Sequence, residues 1–413
     1  MHRFGGFVTL VALAAVTVGV EPVAAQAPAD SAKQAGAGTA KADTAKADTA
    51  KAAAPAAPAA PAGPKVNISG YVTASYTYSS RHTGGAGSPI VGRLYDRFHD
   101  QIELNAAKLT LDKPVATDKW DAGAHVDLLF GQNAPVLQSA GLNLGTNGDV
   151  EQAYATVNLP AGAGKYVQFK AGKFVTLMGV EVIEDVVNPN LSEGNQFIYV
   201  ENFTMTGLRL DAKPDPKVDF ELALINGWDV VQDNNSKKSF MGRLGLTPDT
   251  LTTIGLVGYF GNEKAAVAGV TPSGSRYGVD LLLTRKIGKA TINLQGDYGA
   301  EKDLPAVGQT AKWWAAGLWA AVDVSPILNV ALRGDYMDDK DGARTSGVLG
   351  FPVNTGQKFG SGTFTLNIKR WDSVLIRPEI RYDRSNLLVF PATDGTLHKD
   401  QVTFALGASY IFQ

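Results

Sequence analysis

Residues 402–412 read Val-Thr-Phe-Ala-Leu-Gly-Ala-Ser-Tyr-Ile-Phe, so large apolar side chains alternate with small or polar ones. Successive side chains of a β-strand point to opposite faces of its sheet. One face of this stretch therefore carries Phe404 and Leu406, and the other carries Thr403 and Ser409. The pattern predicts a strand whose two faces meet different surroundings.

The same alternation recurs upstream, with charged side chains on the polar face. In 374–385, Ile376 and Ile380 alternate with Arg377 and Arg381. An unpaired charge is too costly to bury in a packed core, but a water-filled lumen accommodates it. The apolar faces should therefore meet lipid. The polar faces carry the candidate basic residues of a pore wall, which are Arg243, Arg333, Arg377 and Arg381.

The connections between strand candidates alternate in length. About 16 candidates follow one another from residue 66 to residue 412. Short connections such as 214–216 and 248–250 alternate with long ones such as 81–97 and 340–358. Outer-membrane barrels combine short periplasmic turns with long extracellular loops. Residues 65–413 are therefore predicted to form an all-β, closed antiparallel transmembrane barrel.

Composition excludes several other classes of protein. The chain has 413 residues, 45 of them Gly, and no Cys, which excludes a disulfide scaffold and a thiol nucleophile. Its 38 Lys and Arg balance 40 Asp and Glu, which argues against a nucleic-acid partner. The mean hydropathy is −0.05, as expected if lipid-facing apolar residues and lumen-facing polar residues balance each other.

The first 64 residues do not fit the barrel pattern. Residues 1–25 combine Arg3, an apolar stretch and small residues before Gln26, as a secretory signal peptide does. Residues 26–64 consist mainly of Ala, Pro, Lys, Asp, Thr and Gly, which predicts a disordered periplasmic linker. A narrower hypothesis is that the linker lysines contact peptidoglycan. Export and a barrel together predict the bacterial outer membrane as the location.

The C-terminal end carries a candidate assembly signal. Gly407, Tyr410 and Phe412 lie in Gly-Ala-Ser-Tyr-Ile-Phe, which resembles the terminal strand that the barrel-assembly machinery recognises. Gln413 follows the aromatic residue and departs from the usual pattern. The resemblance implies the assembly machinery as a partner.

Motifs between residues 150 and 211 resemble a known family. They are Gly172-Lys173-Phe174 at a strand end, Gly179-Val180-Glu181-Val182-Ile183-Glu184, Asn188-Pro189-Asn190 and Thr206-Gly207. Together with Ile-Glu-Leu-Asn-Ala-Ala-Lys-Leu-Thr-Leu-Asp-Lys-Pro at 102–114, they resemble the OmpL-like putative beta-barrel porin family of bacterial outer membranes. Leu177 stands where many members have proline. The resemblance implies an outer-membrane channel.

The longest connection, 176–203, is acidic and contains no Lys or Arg. In general diffusion porins the third loop folds inward and narrows the pore. By this analogy we expect 176–203 to fold into the lumen and to oppose the basic wall. The candidate acidic residues of the constriction are Glu181, Glu184, Asp185 and Glu193. The alternative is an acidic loop at the outer surface.

Two functions are compatible with these features. The first is a porin that forms a water-filled channel for diffusion of small polar solutes or ions. Acidic residues outnumber basic ones on the predicted inner face, which favours weak cation preference. The second is an adhesion or envelope-anchoring barrel with a plugged lumen. Barrels of this size commonly trimerise, so a homotrimer is the candidate assembly, and outer-membrane lipid is the expected surrounding.

No enzymatic site is predicted. His125 and Asp127 share the inner face of one strand candidate, but no serine nucleophile lies nearby in the sequence. The other histidines are scattered, so no metal site, cofactor or catalytic residue is expected.

Overall fold

The computed structural model describes residues 65–145, 147–263, 274–306, 308–353 and 355–413. The predicted signal peptide (1–25) and linker (26–64) lie outside these residues.

Sixteen strands of the described residues form one closed barrel, which confirms the predicted fold. Each strand pairs antiparallel with its neighbours, and the first strand pairs with the last to close the sheet. The first eight are β1 (Asn67–Ser79), β2 (Gln101–Lys113), β3 (Asp121–Phe130), β4 (Gly148–Pro160), β5 (Tyr166–Val175), β6 (Thr204–Asp215), β7 (Val218–Ile225) and β8 (Ser239–Asp249). The others are β9 (Thr252–Asn262), β10 (Ser275–Ile287), β11 (Ala290–Lys302), β12 (Thr310–Ser325), β13 (Leu328–Asp339), β14 (Gln357–Arg370), β15 (Val374–Ser385) and β18 (Asp400–Phe412).

Short elements lie between the barrel strands. A separate hairpin consists of β16 (Phe390–Pro391) and β17 (Leu397–His398). The helical turns are α1 (Ala134–Leu137), a 3₁₀ turn (Asp185–Val187) and a π turn (Gln196–Val200). Among the described residues, no helix has the length and apolar character needed to span a bilayer.

The two faces of the barrel differ as predicted. In β18, Phe404 and Leu406 are 52 % and 50 % exposed, whereas Thr403 and Ser409 are buried. The exposed row continues around the outer face of the barrel, for example at Ile380 of the neighbouring strand β15 and at Leu332 of β13. A bilayer solvates such a surface, whereas a charged side chain at the midplane would cost ~2–4 kcal/mol. The outward face therefore suits lipid contact.

The connections divide the barrel into two ends. At the short-turn end, residues such as 216–217, 250–251, 288–289 and 326–327 join consecutive strands. At the long-loop end, the connections include 80–100, 131–147, 340–356 and 386–399. This alternation agrees with the predicted rhythm.

Buried apolar side chains form a cluster that joins the inner wall to the long connections. Wall residues such as Leu129 and Met337 pack there with Tyr95, Phe351 and Phe390 from connections at the long-loop end. Residues 183 and 197–200 of the β5–β6 connection belong to the same cluster. We call this set the inner cluster. The long connections therefore pack as one apolar core against the wall.

Candidate functional site

Residues 176–203, here called the β5–β6 segment, connect neighbouring wall strands. The backbone N–H of Thr176 donates to the carbonyl of Phe203 at 3.0 Å, which brings the two ends of the segment together. Most of its side chains between Leu191 and Asn202 are buried. The polar partners of this stretch include Arg333, Asp335 and Glu379 on the inward faces of the strands.

Glu181 contacts Arg333 on β13. Arg333 Nη1 donates to Glu181 Oε1 at 2.7 Å, and the indole N–H of Trp319 donates to the same oxygen at 3.0 Å. The backbone N–H of Gly194 donates to Glu181 Oε2 at 2.6 Å. Both oxygens of this buried carboxylate are therefore hydrogen-bonded, and its charge is paired.

Asp185 lies beside Arg377 on β15. Arg377 Nη2 lies 3.6 Å from Asp185 Oδ2, and Arg377 Nη1 donates a hydrogen bond to the Asp185 carbonyl at 2.7 Å. Thr73 on β1 donates to the Asp185 carboxylate at 3.4 Å. Burial raises the pKa of Asp185, and the positive charge of Arg377 opposes this shift.

Glu193 lies close to Arg381, but the two side chains do not pair. Arg381 donates to the backbone carbonyl of Glu193, and its Nε donates to Asp383 Oδ1 at 2.8 Å. Neither carboxylate oxygen of Glu193 has a hydrogen-bond partner among the described residues. Burial raises the pKa of Glu193 well above its usual range, and the negative charges of Asp96 and Glu181 raise it further.

Arg243, which was expected to oppose the acidic segment, pairs instead with carboxylates of a neighbouring wall strand. It pairs with Asp219 and, at 3.2 Å, with Glu221 Oε1, both on the adjacent strand β7. Glu221 lies directly opposite Arg243 in the ladder between β7 and β8. A neighbouring wall acid is thus nearer to this guanidinium than the carboxylates of the segment are.

Glu184 binds a lysine that was not among the candidate pore residues. Lys108 Nζ contacts Glu184 and lies 2.8 Å from Glu151 Oε1 and 3.0 Å from Asp127 Oδ2. One carboxylate oxygen from each of the three acids lies within 4.8 Å of one oxygen of each of the other two. The alternation of β2 predicts that Lys108 faces inward, but no sequence signal identifies Glu151 and Glu184 as its partners.

Two cavities border the β5–β6 segment at the short-turn end. One, of about 710 Å³, is lined by Met178 and Val182 of the segment and by Arg209 and Arg243 of the wall. The other, of about 610 Å³, is bordered on its polar side by the group Lys108, Thr110, His125, Asp127, Gln152 and Glu184. Val186 and Val187 line both cavities. The segment therefore has arginines of β6 and β8 on one side and carboxylates on the other.

The three candidate assembly residues face different surroundings. Tyr410 and Phe412 are 54 % and 37 % exposed on the outer face. Gly407 faces inward, where a side chain would meet Leu191 of the β5–β6 segment.

Comparison with known proteins gives a family match over the whole barrel. The family profile described as "Putative beta-barrel porin-2, OmpL-like" matches residues 65–412. None of the curated proteins compared with the chain matches it significantly.

Several solved structures share the fold at low sequence identity. The anion-selective porin from Comamonas acidovorans aligns with a TM-score of 0.56 at 12 % identity, over 84 % of this chain and 99 % of that one. The trimer form of OmpT from Vibrio cholerae aligns with a TM-score of 0.54 at 11 % identity, over 84 % and 99 %. OprB from Pseudomonas putida aligns with a TM-score of 0.54 at 11 % identity, over 84 % and 94 %.

Proposed function

The chain belongs to the putative beta-barrel porin-2, OmpL-like family of outer-membrane porins, and on that premise we propose that the β5–β6 segment is the constriction of its channel. In this role the segment sets the size and charge of the small polar solutes that diffuse through the barrel. The observation that carries the proposal is the pairing of the segment with wall arginines, above all Glu181 with Arg333 at 2.7 Å.

Charge pairing supports a constriction by holding the segment against the inner wall. Three carboxylates of the segment meet three bases on different strands: Glu181 meets Arg333, Asp185 lies near Arg377, and Glu184 meets Lys108. These pairs fix the segment inside the barrel, so solutes would pass beside it through a narrower space than the wall alone encloses. The cavities of about 710 and 610 Å³ beside the segment give solutes room to approach it from the short-turn end.

Single-channel recording in planar bilayers tests the constriction. The triple variant E181Q/E184Q/D185N keeps the size of the side chains but removes the negative charges of the segment. We expect altered conductance and ion selectivity. The matched control is D394N in the exposed connection 386–399, which should conduct as the unmodified protein does. Unchanged conductance and selectivity in the triple variant would refute the constriction.

Weak cation preference is the selectivity that we propose. The carboxylates of Asp127, Glu151 and Glu184 surround the single ammonium of Lys108, which leaves a negative excess beside the smaller cavity. The reversal potential in a salt gradient measures this preference directly. A potential of the sign expected for anion passage would contradict it.

A second candidate function is a plugged barrel for adhesion or envelope anchoring. The inner cluster favours it, because apolar residues of several long connections pack together against the wall. A packed apolar core admits little water. Steady open-channel current would support the porin function, whereas silence of a correctly folded barrel would support the plugged barrel.

The proposed function requires no covalent chemistry by the protein. His125 Nδ1 lies 3.0 Å from Asp112 and Nε2 lies 3.0 Å from Asp127, and its ring stacks on Tyr154. Because both ring nitrogens contact wall carboxylates, we assign the imidazole a structural role in the wall. We therefore assign no catalytic residue.

We also propose an oligomeric state and several partners for the barrel. The proposed oligomer is a homotrimer, and chemical cross-linking of the purified protein tests it by the presence or absence of a trimer band. Outer-membrane lipid would cover the exposed apolar row, and the assembly machinery would recognise the outward-facing Tyr410 and Phe412. Deletion of 26–64 tests the peptidoglycan contact, because unchanged sedimentation with cell wall would exclude it.

A further inference from the structure

The outer face of strands β13, β14 and β15 carries a group of glycines near the long-loop end. Gly334 on β13 and Gly362 on β14 lie directly opposite each other on this face. A Cβ at either position would meet no atom within 4 Å. Gly360, two residues nearer the long loops, lies on the same face. The three glycines leave a depression in the apolar outer surface, which we call the glycine furrow.

Apolar and aromatic side chains border the glycine furrow. On the side away from the long loops, a row of exposed apolar side chains crosses the three strands and consists of Leu332, Phe364 and Ile380. Tyr336 lies opposite Gly360, and Tyr382 lies opposite Gly362. The two tyrosines are 40 % and 41 % exposed. Tyrosine is enriched where the hydrocarbon of a membrane meets the headgroups. The furrow therefore leads from the hydrocarbon region to the level of the headgroups.

Two basic side chains lie at the long-loop end of the furrow. Arg384 on β15 is exposed and lies opposite Gly360, and Lys358 is the next outward residue of β14 toward the long loops. Residues in this diagonal arrangement on one face of a sheet are about 7–8 Å apart, so both long side chains can reach one phosphate. Lys358 contacts Asp338 at 3.1 Å, but 54 % of its side chain stays exposed.

The guanidinium of Arg384 has donors to spare. Among the described residues it forms no salt bridge, and it donates to the Tyr382 hydroxyl at 3.5 Å. Asp400 lies opposite Arg384 in the ladder between β15 and β18, but its carboxylate pairs with Arg81 at 3.7 Å. A planar guanidinium matches the geometry of phosphate oxygens and binds them with two parallel hydrogen bonds. The charge and position of Arg384 therefore suit the phosphate of a lipid headgroup.

A second glycine pair on the outer face provides an internal comparison. Gly242 on β8 lies opposite Gly258 on β9, and both line an apolar depression of about 1030 Å³. Toward the long loops, the next outward residues are Phe240 and Phe260, which are 56 % and 57 % exposed. Lys238, two residues before Phe240, already pairs with a neighbouring carboxylate. This depression suits hydrocarbon alone, whereas the furrow on β13–β15 adds positive charge that is available to a ligand.

We propose that the glycine furrow and the two cations above it bind a phosphorylated, acylated glycolipid of the lipopolysaccharide class. A phosphate of the lipid lies between Arg384 and Lys358, and one acyl chain lies in the furrow over Gly334 and Gly362. The long-loop end of an outer-membrane barrel faces the cell exterior, so the site lies in the leaflet that contains lipopolysaccharide. Basic side chains beside an apolar spanning surface recognise anionic headgroups. The complementary charges therefore favour this lipid over a neutral one.

Native mass spectrometry of the full-length barrel in detergent tests this site, with lipid A, the acylated and phosphorylated anchor of lipopolysaccharide, as the probe. We expect lipid A to bind the unmodified protein and to bind K358Q/R384Q roughly tenfold or more weakly, because both basic contacts to the phosphate are lost. Lipid A without phosphates should bind the unmodified protein as weakly. G362L places a side chain in the open furrow and should also weaken binding.

The matched control is K238Q, which removes an exposed cation near the second glycine pair and should bind lipid A as the unmodified protein does. Heat-modifiable migration on gels verifies that each variant folds. No lipid A on the unmodified protein, or equal binding by K358Q/R384Q, would overturn the proposal. If G362L disrupts an oligomer but binds lipid A normally, the furrow is a contact between subunits and not an acyl-chain site. These readouts need no ionic current, so they are independent of the proposed constriction.

Discussion

Glu181 and Arg333 are 152 residues apart in the chain, and their side chains meet at 2.7 Å with 1 % and 0 % exposed. The pair joins the β5–β6 segment to strand β13. Ser192 and Thr363 also accept hydrogen bonds from the guanidinium, so Arg333 contacts the segment at two points.

Removal of one partner of this buried pair should destabilise the barrel. We expect R333Q to lower the free energy of unfolding by about 3–5 kcal/mol, because Glu181 and Asp335 then lose their shared cation. E181Q should lower it by about 1.5–3 kcal/mol, because Asp335 Oδ2 still lies 3.2 Å from Arg333 Nε. Chemical unfolding followed by tryptophan fluorescence measures the change. The control is D249N, since Asp249 pairs with Arg285 at an exposed site and its loss should change the free energy of unfolding little. Equal effects of E181Q and D249N would contradict the prediction.

Glu193 should make the packing of the β5–β6 segment depend on pH. Its pKa is raised by burial, so the packed segment binds a proton that a displaced, solvated segment releases. The free energy that favours the packed segment is therefore greatest at acidic pH. It decreases as the pH rises above the pKa of a solvated glutamate. The titratable groups around the Glu193 carboxylate include Tyr95, Asp96, Glu181 and Asp185, and the guanidinium of Arg381 donates to the Glu193 carbonyl.

Hydrogen exchange of 176–203 at several pH values measures this dependence. We expect exchange, corrected for its intrinsic pH dependence, to increase from pH 5 to pH 9 in the unmodified protein. E193Q cannot ionise and should flatten the increase. An unchanged slope in E193Q would show that Glu193 is not the group responsible.

Lys108 should be essential for the docking of Glu184. The variant K108M leaves Asp127, Glu151 and Glu184 without their shared cation, so we expect faster protease cleavage near residue 184. Adding E184Q to K108M removes one of the unbalanced charges and should restore part of the protection. If K108M alone is as resistant as the unmodified protein, the lysine does not hold the segment.

Substitutions of two residues in the C-terminal strand should have different effects on assembly in cells and on refolding of the purified protein. Phe412 lies on the outer face, so F412A should reduce the folded fraction in cells but leave refolding of purified protein into detergent nearly unchanged. Gly407 faces Leu191, so G407L should impair both through overpacking. Heat-modifiable migration on gels measures the folded fraction in each case. Normal assembly of F412A in cells would exclude it from the signal.

The sequence allowed prediction of the barrel and of the inward faces because alternation is a local property. The residues Arg333, Arg377 and Arg381 all face inward, as their positions in alternating stretches indicated. Strand boundaries at the short connections could also be predicted, because turn residues mark these connections. These features depend only on neighbours within about ten residues of the chain.

The pairing of the charges could not be predicted, because it depends on distant parts of the chain. Arg243 pairs with Glu221 through the register of β7 and β8, and Glu184 meets Lys108 through the path of the β5–β6 segment. Arg93, in the first long connection, reaches Asp383 on β15 at 3.1 Å.

The closing pair of strands, β1 and β18, is the place where the two ends of the sheet meet. Residues 185–191 cross this junction on the inside: Thr73 of β1 donates to Asp185, Leu191 lies against Gly407 of β18, and Arg377 of β15 donates to Asp185. A pulling force that separates β1 from β18 must therefore break interior contacts in addition to the backbone ladder. We therefore expect the β5–β6 segment to stabilise the barrel against separation of strands β1 and β18.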